Sequence, residues 1–228
     1  MKVELVAYTQ RADAEKGDCA DIVEMAAAVC YDSLPDGQHR IAKACARSGH
    51  MSVWEHINFT FHVKGVSRAL LAQLSRHRHI SLSVRSQRYC SEDGFDYVTP
   101  DSIRADPDAR GIFDAFMQDI DAAYRDLQGA GIPNEDARAL LPNGCVTELY
   151  MTANARALVE MARLRLCMRA QAEIRELFQE LREAVRPACP LLAQMMVPKC
   201  EKYPSTPYCD EQKGCGRHPK LSVIYKRG

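Results

Sequence analysis

Residues 57–74, INFTFHVKGVSRALLAQL, decide the fold class because the alternating pattern of a strand is followed by the apolar spacing of a helix. The first half alternates apolar and polar residues, which predicts a half-buried strand whose apolar face is Ile57, Phe59, Phe61 and Val63. We expect Gly65 to end this strand. Ser67 is a favourable N-cap for a helix to about residue 78, with a core side formed by Leu70, Leu71 and Leu74. The stretch therefore predicts a strand followed directly by a helix.

Helical spacing recurs over most of the remaining chain. It predicts helices over residues 15–30, 38–47, 107–129, 133–141 and 155–186. Asp106 and Pro107 favour the start of the third of these, and Asn154 is the N-cap expected for the longest. The third helix has a predicted core side of Ile112, Phe113, Phe116, Ile120, Ala123 and Leu127. In the longest helix the core side is Ile174, Leu177, Phe178, Leu181 and Val185.

Strand candidates are fewer and shorter than the helices. They are VELVAY at 3–8, FDYVTP at 95–100 and residues 145–152, whereas the Ser-rich residues 79–91 predict a loop. No GxGxxG follows a strand, which argues against a dinucleotide-binding βαβ fold. We predict a single helix-rich α+β domain with a small, mostly antiparallel sheet over residues 1–198, followed by a Cys-containing extension at 199–228.

Composition and charge exclude several classes of protein. The chain has 228 residues, 30 Lys and Arg against 30 Asp and Glu, and 46% hydrophobic residues. A net charge of zero argues against a protein that gathers polyanions through bulk charge, and the hydrophobic content argues against disorder. No apolar run approaches the roughly 18 residues of a membrane span, and the N-terminus lacks a signal-peptide core. We therefore expect a cytoplasmic protein without a membrane partner.

The positive charges are nevertheless concentrated. Residues 56–91 contain no Asp or Glu, and this acid-free block holds six cations: Lys64, Arg68, Arg76, Arg78, Arg85 and Arg88. Arginine forks beside serine hydroxyls suit phosphate recognition. Two alternatives are a basic face balanced by the acidic segment 92–136 and a nucleic-acid-binding module. The block offers Tyr89 but few other aromatics for base stacking, so we predict no nucleic-acid partner.

The C-terminal extension carries a possible metal-binding set. Three of the ten cysteines and one histidine lie close together in sequence: Cys200, Cys209, Cys215 and His218. Thiols and an imidazole are ligands that zinc prefers. However, no CxxC pair is present and the gaps between the cysteines are loose. We therefore predict that no metal binds and that the tail packs on the body of the protein. If a metal does bind, these four residues are its candidate ligands.

One motif resembles a known family. Arg76-His77-Arg78, seven further residues and then Ser86 form the signature of flavin-dependent thymidylate synthases, and this chain is similar to them throughout residues 50–90. The flanking Glu55-His56 and SQRY at 86–89 match as well. The similarity is weaker around Arg138 and from Asn154 to Gln171. It implies that residues 1–198 form the synthase domain and that the protein is a homotetramer of α+β fold.

The resemblance also implies an activity. Members of this family convert dUMP to dTMP, with 5,10-methylenetetrahydrofolate as one-carbon donor, NADPH as reductant and FAD as mediator. The flavin and the nucleotide are expected between subunits. Because the cofactor carries the difficult chemistry, none of the ten cysteines is required as a nucleophile.

Site residues follow from the same resemblance, position by position. The implied FAD contacts are His50, Ser52, Arg76, His77, Arg78, Asn154 and Arg156. The implied dUMP contacts are Gln73, Arg76, Ser86, Arg88, Arg138 and Arg165. Arg165 matches the arginine thought to polarise the uracil ring and to favour its N3-deprotonated form.

The residues themselves leave simpler interpretations open. Arg165 shares a helix face with Leu158 and Met161, so it needs a partner, either an acidic side chain or an anionic ligand. Arg138 lies near Glu135 and Asp136 and, taken alone, would form a surface ion pair.

Three positions depart from the family pattern. Val84 stands where a polar Glu or Gln is usual, Glu160 where some members have Asn, and Arg169 where some have His. Arg85 follows Val84 and is a possible replacement for the missing polar group. These departures keep open a flavin-binding NADPH reductase or oxidase that does not make dTMP.

Overall fold

The computed structural model describes residues 1–13, 17–35 and 37–225. The predicted start of the first helix at residue 15 lies outside them. In the described ranges there are ten α-helices: α1 Ala20–Cys30, α2 Arg40–Ser48, α3 Arg68–Leu74, α4 Asp101–Arg104, α5 Pro107–Gly129, α6 Asn134–Ala137, α7 Ala155–Arg165, α8 Ala172–Val185, α9 Pro190–Met195 and α10 Leu221–Tyr225. Three short 3-10 helices accompany them: Ser52–His56, Arg138–Leu140 and Lys199–Glu201.

Four strands form one small antiparallel sheet: β1 Lys2–Tyr8, β2 Asn58–Ser67, β3 Ile80–Val84 and β4 Val146–Asn154. Their order is β1-β2-β4-β3, so β3 is an edge strand. Cross-strand contacts fix the register of β2 against β4. The Thr60 and Thr152 hydroxyls are 2.9 Å apart, and the rings of His62 and Tyr150 stack with centroids 4.4 Å apart. The predicted α+β class with a small antiparallel sheet is confirmed.

Two predictions about this sheet are wrong. Strand β2 does not end at Gly65 but continues to Ser67, and Gly65 lies within it at a φ of +72° that glycine tolerates. Residues 80–84 form strand β3 rather than a loop. Its apolar residues alternate with exposed Ser81 and Ser83, as expected for an edge strand with one covered face. The candidate strand at 95–100 forms only the isolated antiparallel bridge between Tyr97 and Cys145.

The predicted helix starts are largely confirmed because the capping side chains take their expected roles. The Ser67 hydroxyl accepts a hydrogen bond from Leu70 N, and the Asn154 side chain accepts one from Ala157 N. The Asp106 carboxylate accepts from Asp108 N and Ala109 N, with Pro107 in the first turn of α5. Helix α3, however, ends at Leu74 rather than near residue 78.

The longest predicted helix is in fact two helices. Helix α7 ends at Arg165 and α8 begins at Ala172. The break occurs because the Gln171 side chain accepts a hydrogen bond from Ile174 N and so starts a new helix. The predicted core side of α8 is confirmed, since all five of its residues are fully buried.

The predicted core side of α5 is wrong in part. Met117 and Tyr124 are the buried residues of this helix. Ile112 and Phe116, which we predicted to be inside, are 63% and 62% exposed. Elsewhere the apolar face of β2 is confirmed, because Ile57, Phe59, Phe61 and Val63 are fully buried.

The described residues group into two compact units. The first consists of Met1–Lys2, His62–Arg78 and Leu82–Tyr150, and the second of Val3–Phe61, His79–Ser81 and the chain from Met151 onward. The predicted boundary at residue 198 stays a prediction. Among the described residues, no helix has the length and apolar character needed to cross a membrane.

Candidate functional site

The Arg76-His77-Arg78 turn follows directly after α3. Its backbone is closed by a hydrogen bond of 3.1 Å from His77 N to Leu74 O. Leu74 is buried, whereas both arginine side chains are exposed. Within the described ranges, Arg76 and Arg78 form no ion pair or hydrogen bond, while His77 does have a partner. Two cations on one short turn are therefore available to an anionic ligand.

Gln73 lies three residues before Arg76 on the last turn of α3 and is half-buried. Its side-chain amide donates a hydrogen bond of 3.5 Å to Ala69 O, one turn earlier. Because α3 ends at Leu74, Arg76 follows the helix by two residues. A shared ligand for Gln73 and Arg76, predicted from helical spacing, stays a prediction.

A second turn follows β3 and carries Ser86 and Arg88. Ser86 Oγ accepts a hydrogen bond of 3.3 Å from Arg88 N, and Ser86 O accepts one of 3.0 Å from Cys90 N. The Arg88 guanidinium contacts Glu135, with Nη2 2.8 Å and Nε 3.1 Å from Oε2. Both side chains are half exposed, and such a pair contributes only about 0.2–1 kcal/mol. A phosphate can therefore compete with the Glu135 carboxylate for Arg88.

Arg138 lies at the same glutamate but uses a different atom. Its Nε donates a hydrogen bond of 3.1 Å to the backbone carbonyl of Glu135. Among the described residues Arg138 therefore forms a hydrogen bond to a backbone carbonyl and not the surface ion pair that we expected. Arg88 and Arg138, both predicted to bind the nucleotide, thus contact the same residue, Glu135, in the first unit.

Arg68, which our site prediction omits, belongs to the same cationic region. Its Nη2 donates a hydrogen bond of 2.7 Å to Arg85 O, and its buried Nε has no hydrogen-bond partner among the described residues. Burial lowers the pKa of Arg68; Cys145 and Glu92 raise it in part, and the charges of Arg138 and Arg85 lower it. A guanidinium that is desolvated and close to other cations is stabilised by a nearby anion. The acid-free block was the only sequence signal for this residue.

Arg85 does not replace the polar group missing at Val84. Its Nε lies 3.2 Å from Oε1 of Glu92, whose side chain is 8% exposed, and its Nη2 donates to Ser91 O. Val84 itself ends β3 and is half-buried. This departure from the family pattern is therefore not compensated by the neighbouring arginine.

In the second unit, Arg156 connects α7 to the 3-10 helix Ser52–His56. Its Nη1 lies 2.6 Å from Glu55 Oε1, and its Nε lies 2.9 Å from Glu160 Oε1. Hydrogen bonds to Glu160 and then Glu55 raise the pKa of Arg156. The structure thus brings Arg156 and the helix that contains Ser52 together. Glu160, a second departure from the family pattern, holds Arg156 in place.

His50 and Asn154 also lie in the second unit. Nδ1 of His50 is 3.2 Å from the Tyr31 hydroxyl, and the two rings pack edge to face. The Asn154 side-chain oxygen, 2.8 Å from Ala157 N, is used to cap α7. Its amide NH2 group donates no hydrogen bond among the described residues, so the asparagine can still donate to a ligand.

Arg165 is the last residue of α7 and lines a cavity of about 320 Å³. The cavity wall combines the end of α7 and the residues after it with the C-terminal extension. Arg165 is half-buried and has a bonding partner in the structure. Met161 and Leu158, one and two turns earlier, are buried, as predicted from the helix face.

The same cavity is lined by four further cationic side chains: Arg163, Arg169, Lys199 and Arg217. Arg163 Nε is buried without a hydrogen-bond partner, and burial lowers the pKa of this arginine. Arg169, the third departure, forms an ion pair with Glu211 of the extension. No sequence pattern distinguished Arg163, because its burial depends on how the extension packs.

The predicted site residues therefore fall into separate groups. Gln73, the Arg76–Arg78 turn and the Ser86–Arg88 turn belong to the first unit, together with Arg138. His50, Ser52, Asn154 and Arg156 belong to the second unit, as does Arg165. The first group supplies cations at exposed turns, and the second supplies polar groups at the ends of helices.

Comparison with known proteins identifies the class. A family model described as thymidylate synthase complementing protein matches residues 4–191. The chain belongs to this family, as the Arg76 to Ser86 motif predicted.

Individual relatives of known name are similar to most of this chain. A flavin-dependent thymidylate synthase of Nitratidesulfovibrio vulgaris is 42% identical over 182 residues, which cover 75% of this chain and 73% of the relative. One from Geobacter sulfurreducens is 36% identical, over 99% of this chain and 98% of the relative. A crystal structure of the Helicobacter pylori flavin-dependent enzyme complexed with FAD and dUMP matches with a TM-score of 0.69 and 27% identity. That match covers 86% of this chain and all of the other.

Proposed function

We propose that this protein is a flavin-dependent thymidylate synthase. It converts dUMP to dTMP, with 5,10-methylenetetrahydrofolate as the one-carbon donor and NADPH as the reductant. Membership of the family and the names of relatives that share nearly the whole chain support this function. So do the solved Helicobacter pylori structures, which contain FAD and dUMP.

The observation that carries the proposal is a pair of exposed arginines, Arg76 and Arg78, that lie in an acid-free block and form no ion pair among the residues that the structure describes. FAD carries a pyrophosphate and dUMP a phosphate, and arginine forks match both by charge and by geometry. The residues present therefore fit a flavin nucleotide. The proposed FAD contacts are Arg76, His77 and Arg78 in the first unit, and His50, Ser52, Asn154 and Arg156 in the second unit.

When bound, FAD supplies the redox chemistry that links NADPH to the transfer of the one-carbon unit. The protein positions the reactants. Glu55 and Glu160 hold the Arg156 guanidinium in a fixed orientation, so Arg156 can contact a flavin without first losing much rotamer freedom. Asn154 caps α7 and keeps its amide NH2 available as a donor.

The dUMP phosphate is assigned to the Ser86–Arg88 turn and Arg138, with Gln73 and Arg76 as further nucleotide contacts. A phosphate dianion attracts Arg88 more strongly than the single charge of Glu135 does. Glu135 therefore orients the guanidinium before the nucleotide binds and gives way to the phosphate afterwards. Arg138 needs no such exchange because it contacts only the Glu135 carbonyl.

Arg165 is assigned to the uracil ring of dUMP. A fixed cation beside the ring stabilises negative charge on it and so favours the N3-deprotonated form, in which C5 is more nucleophilic. The buried Leu158 and Met161 on the same helix face limit the solvent around this arginine, which strengthens the electrostatic effect.

We also propose that the protein forms a homotetramer in the cytoplasm. Ile112 and Phe116 lie one turn apart on α5 and are mostly exposed, which is unfavourable unless another copy covers them. Each of the ten cysteines, all within the described residues, is free, as expected in a reducing compartment. Phe116→Glu should reduce the molar mass measured by light scattering, whereas the matched surface variant Gln118→Glu should leave it unchanged.

The decisive experiment is the absorption spectrum of the purified protein combined with an activity assay. We expect a yellow protein that releases FAD and forms dTMP only when dUMP, methylenetetrahydrofolate and NADPH are all present. A colourless protein that cannot be reconstituted with FAD would refute the proposal. NADPH oxidation without formation of dTMP would instead support the alternative of a flavin-binding reductase or oxidase. Binding of nucleic acid that weakens steeply as the salt concentration rises would support the alternative of a nucleic-acid-binding module.

A further inference from the structure

The C-terminal extension contains little regular structure. Between the 3-10 helix Lys199–Glu201 and α10, the described chain has only the parallel bridge between Cys209 and Lys220. A segment of this length without helices or strands is uncommon in a compact protein unless other interactions hold it. Small cysteine-containing segments are often held by a metal ion, whose binding energy then contributes directly to folding.

Three potential metal ligands meet at the two ends of this segment. The thiol of Cys200, a carboxylate oxygen of Glu201 and a ring nitrogen of His218 all lie within 4.8 Å of one another. His218 Nε2 is 3.1 Å from Glu201 Oε1. All three residues are half-buried, so their donor atoms are partly screened from water.

Spacing and donor type favour zinc over other ions. Zinc binds thiolate sulfur at about 2.3 Å and imidazole nitrogen or carboxylate oxygen at about 2.0–2.2 Å, so ligand atoms around it lie roughly 3–4 Å apart. The three donors need only small side-chain shifts to reach that arrangement. Calcium and magnesium prefer oxygen ligands only, and a site with a thiol and an imidazole disfavours them.

We propose that Cys200, Glu201 and His218 bind one Zn²⁺ ion and thereby pin the C-terminal extension to the segment that follows α9. This differs from the set predicted from sequence, because Glu201 joins the ligands while Cys209 and Cys215 lie outside the three-residue group. The fourth position of a tetrahedral site is left to water or to a further thiol.

The surroundings of the three residues support the site. Nη2 of Arg217 is 2.6 Å from Oε1 of Glu201. Ligating carboxylates in metal sites are usually held by such a second hydrogen bond, which fixes their orientation. Cys200 also lines the Arg165 cavity, together with Cys167, Cys209 and Cys215. Zinc at this position would therefore stiffen one wall of the cavity that Arg165 lines.

A second group of donors provides a matched control. Asp18, Cys19 and Cys189 also lie within reach of a single ion. However, Cys19 and Cys189 are fully buried, and the Cys19 thiol already donates to Ala188 O at 3.4 Å. The hydrogen bond with Cys189 and then burial raise the pKa of Cys19. We therefore assign zinc to the extension and not to this group.

The experiment measures zinc binding directly and does not depend on thymidylate synthesis. The full-length protein is stripped of metal under reducing conditions, equilibrated with ZnCl2, freed of excess zinc by gel filtration and analysed by mass spectrometry for the metal. We expect about one zinc per chain in the wild type and in the controls Asp18→Asn and Cys30→Ala. Cys200→Ser, Glu201→Gln and His218→Gln should each bind zinc at least about tenfold more weakly.

A proteolysis assay gives a second readout. Lys213 and Arg217 are exposed trypsin sites in the extension, and zinc should slow cleavage there in the wild type but not in Cys200→Ser. Circular dichroism compares the fold of each variant with that of the metal-free wild type. If Cys200→Ser and His218→Gln fail to fold, the test relies on Glu201→Gln. The proposal is overturned if the wild type binds no stoichiometric zinc, if all three variants retain it, or if Asp18→Asn alone loses it.

Discussion

The acid-free block and the C-terminal extension use the same cationic residue types in opposite ways. In the block, Arg76 and Arg78 form no ion pair or hydrogen bond among the described residues, and Arg88 contacts the half-exposed Glu135 and the ring of Tyr89. In the cavity formed with the extension, Arg169 pairs with Glu211, Lys199 with Asp210 and Arg217 with Glu201. An unpaired cation is available to bind an anionic ligand, whereas a paired cation stabilises the fold of the chain.

A net charge of zero conceals this contrast. The thirty cations balance thirty acidic residues over the whole chain, yet Arg76 and Arg78 of the acid-free block have no acidic partner among the described residues. We therefore expect anionic ligands to bind at cations that have no acidic partner. Substitutions of single cations can test whether pairing distinguishes ligand-binding residues from structural ones.

The largest expected effect on activity comes from substitution of Arg165. This residue lines the same cavity as the paired cations, but we assign it to the binding of substrate. Arg165→Ala should lower the rate of dTMP formation by roughly 100-fold or more, because it removes a charge that stabilises the reacting ring. Flavin absorbance and the melting temperature should change little. Arg186→Ala, directly after α8, is the control, and undiminished turnover in Arg165→Ala would exclude the assigned role.

A smaller effect is expected from the unpaired cations of the block. Arg76→Ala and Arg88→Ala should each weaken dUMP binding by about 10–150-fold, since a charge-assisted contact contributes roughly 1.5–3 kcal/mol. Isothermal titration with dUMP measures this. Lys199→Ala, which removes a paired cation, should leave the affinity within about threefold. Equal losses in all three variants would show that pairing does not separate the two kinds of residue.

Arg85 tests the structural role of a paired cation inside the block. Arg85→Ala leaves the carboxylate of Glu92, 8% exposed, without its ion-pair partner. The free energy of unfolding should fall by about 1–3 kcal/mol, measured by urea denaturation. The double variant Arg85→Ala, Glu92→Gln should recover part of this loss because the buried charge is removed too. If the single variant is as stable as wild type, Arg85 is available to a ligand after all.

The smallest effect concerns the cap of α3, on which the Arg76 turn is built. Ser67→Ala should cost about 1 kcal/mol of stability because Leu70 N loses its acceptor. Affinity for dUMP should be unchanged at a temperature where the protein is folded. Ser67→Asp, which can still cap the helix, should restore stability. Weakened dUMP binding in the folded Ser67→Ala variant would mean that the turn is not held independently of the cap.

Local signals explain what could be predicted from the sequence. The alternation of residues 57–63 and the caps Ser67, Asp106 and Asn154 depend on nearest neighbours in the chain, and all are confirmed. Strand β3 was missed because exposed serines on an edge strand resemble a loop. The break between α7 and α8 was missed because no Gly or Pro marks it, and a Gln side chain serves as the cap.

Features set by distant parts of the chain could not be predicted. An apolar stripe does not reveal whether it faces its own core or another copy, and so Ile112 and Phe116 of α5 were misassigned. For the candidate site, the motif residues were found through family resemblance, but their partners were not. Glu135 lies 47 positions from Arg88, and Glu201 lies 17 from His218. The buried guanidinium nitrogens of Arg68 and Arg163 likewise depend on tertiary packing.

Strand β3 lies between the two turns that carry the family motif, and it acts as a rigid spacer. Its five residues, at about 3.3 Å each, extend over roughly 16 Å. The Arg76 turn and the Ser86 turn therefore lie at opposite ends of one strand. Their cations are spread out along the chain and do not gather at one point. This arrangement suits an extended ligand, or two ligands, better than a single small anion.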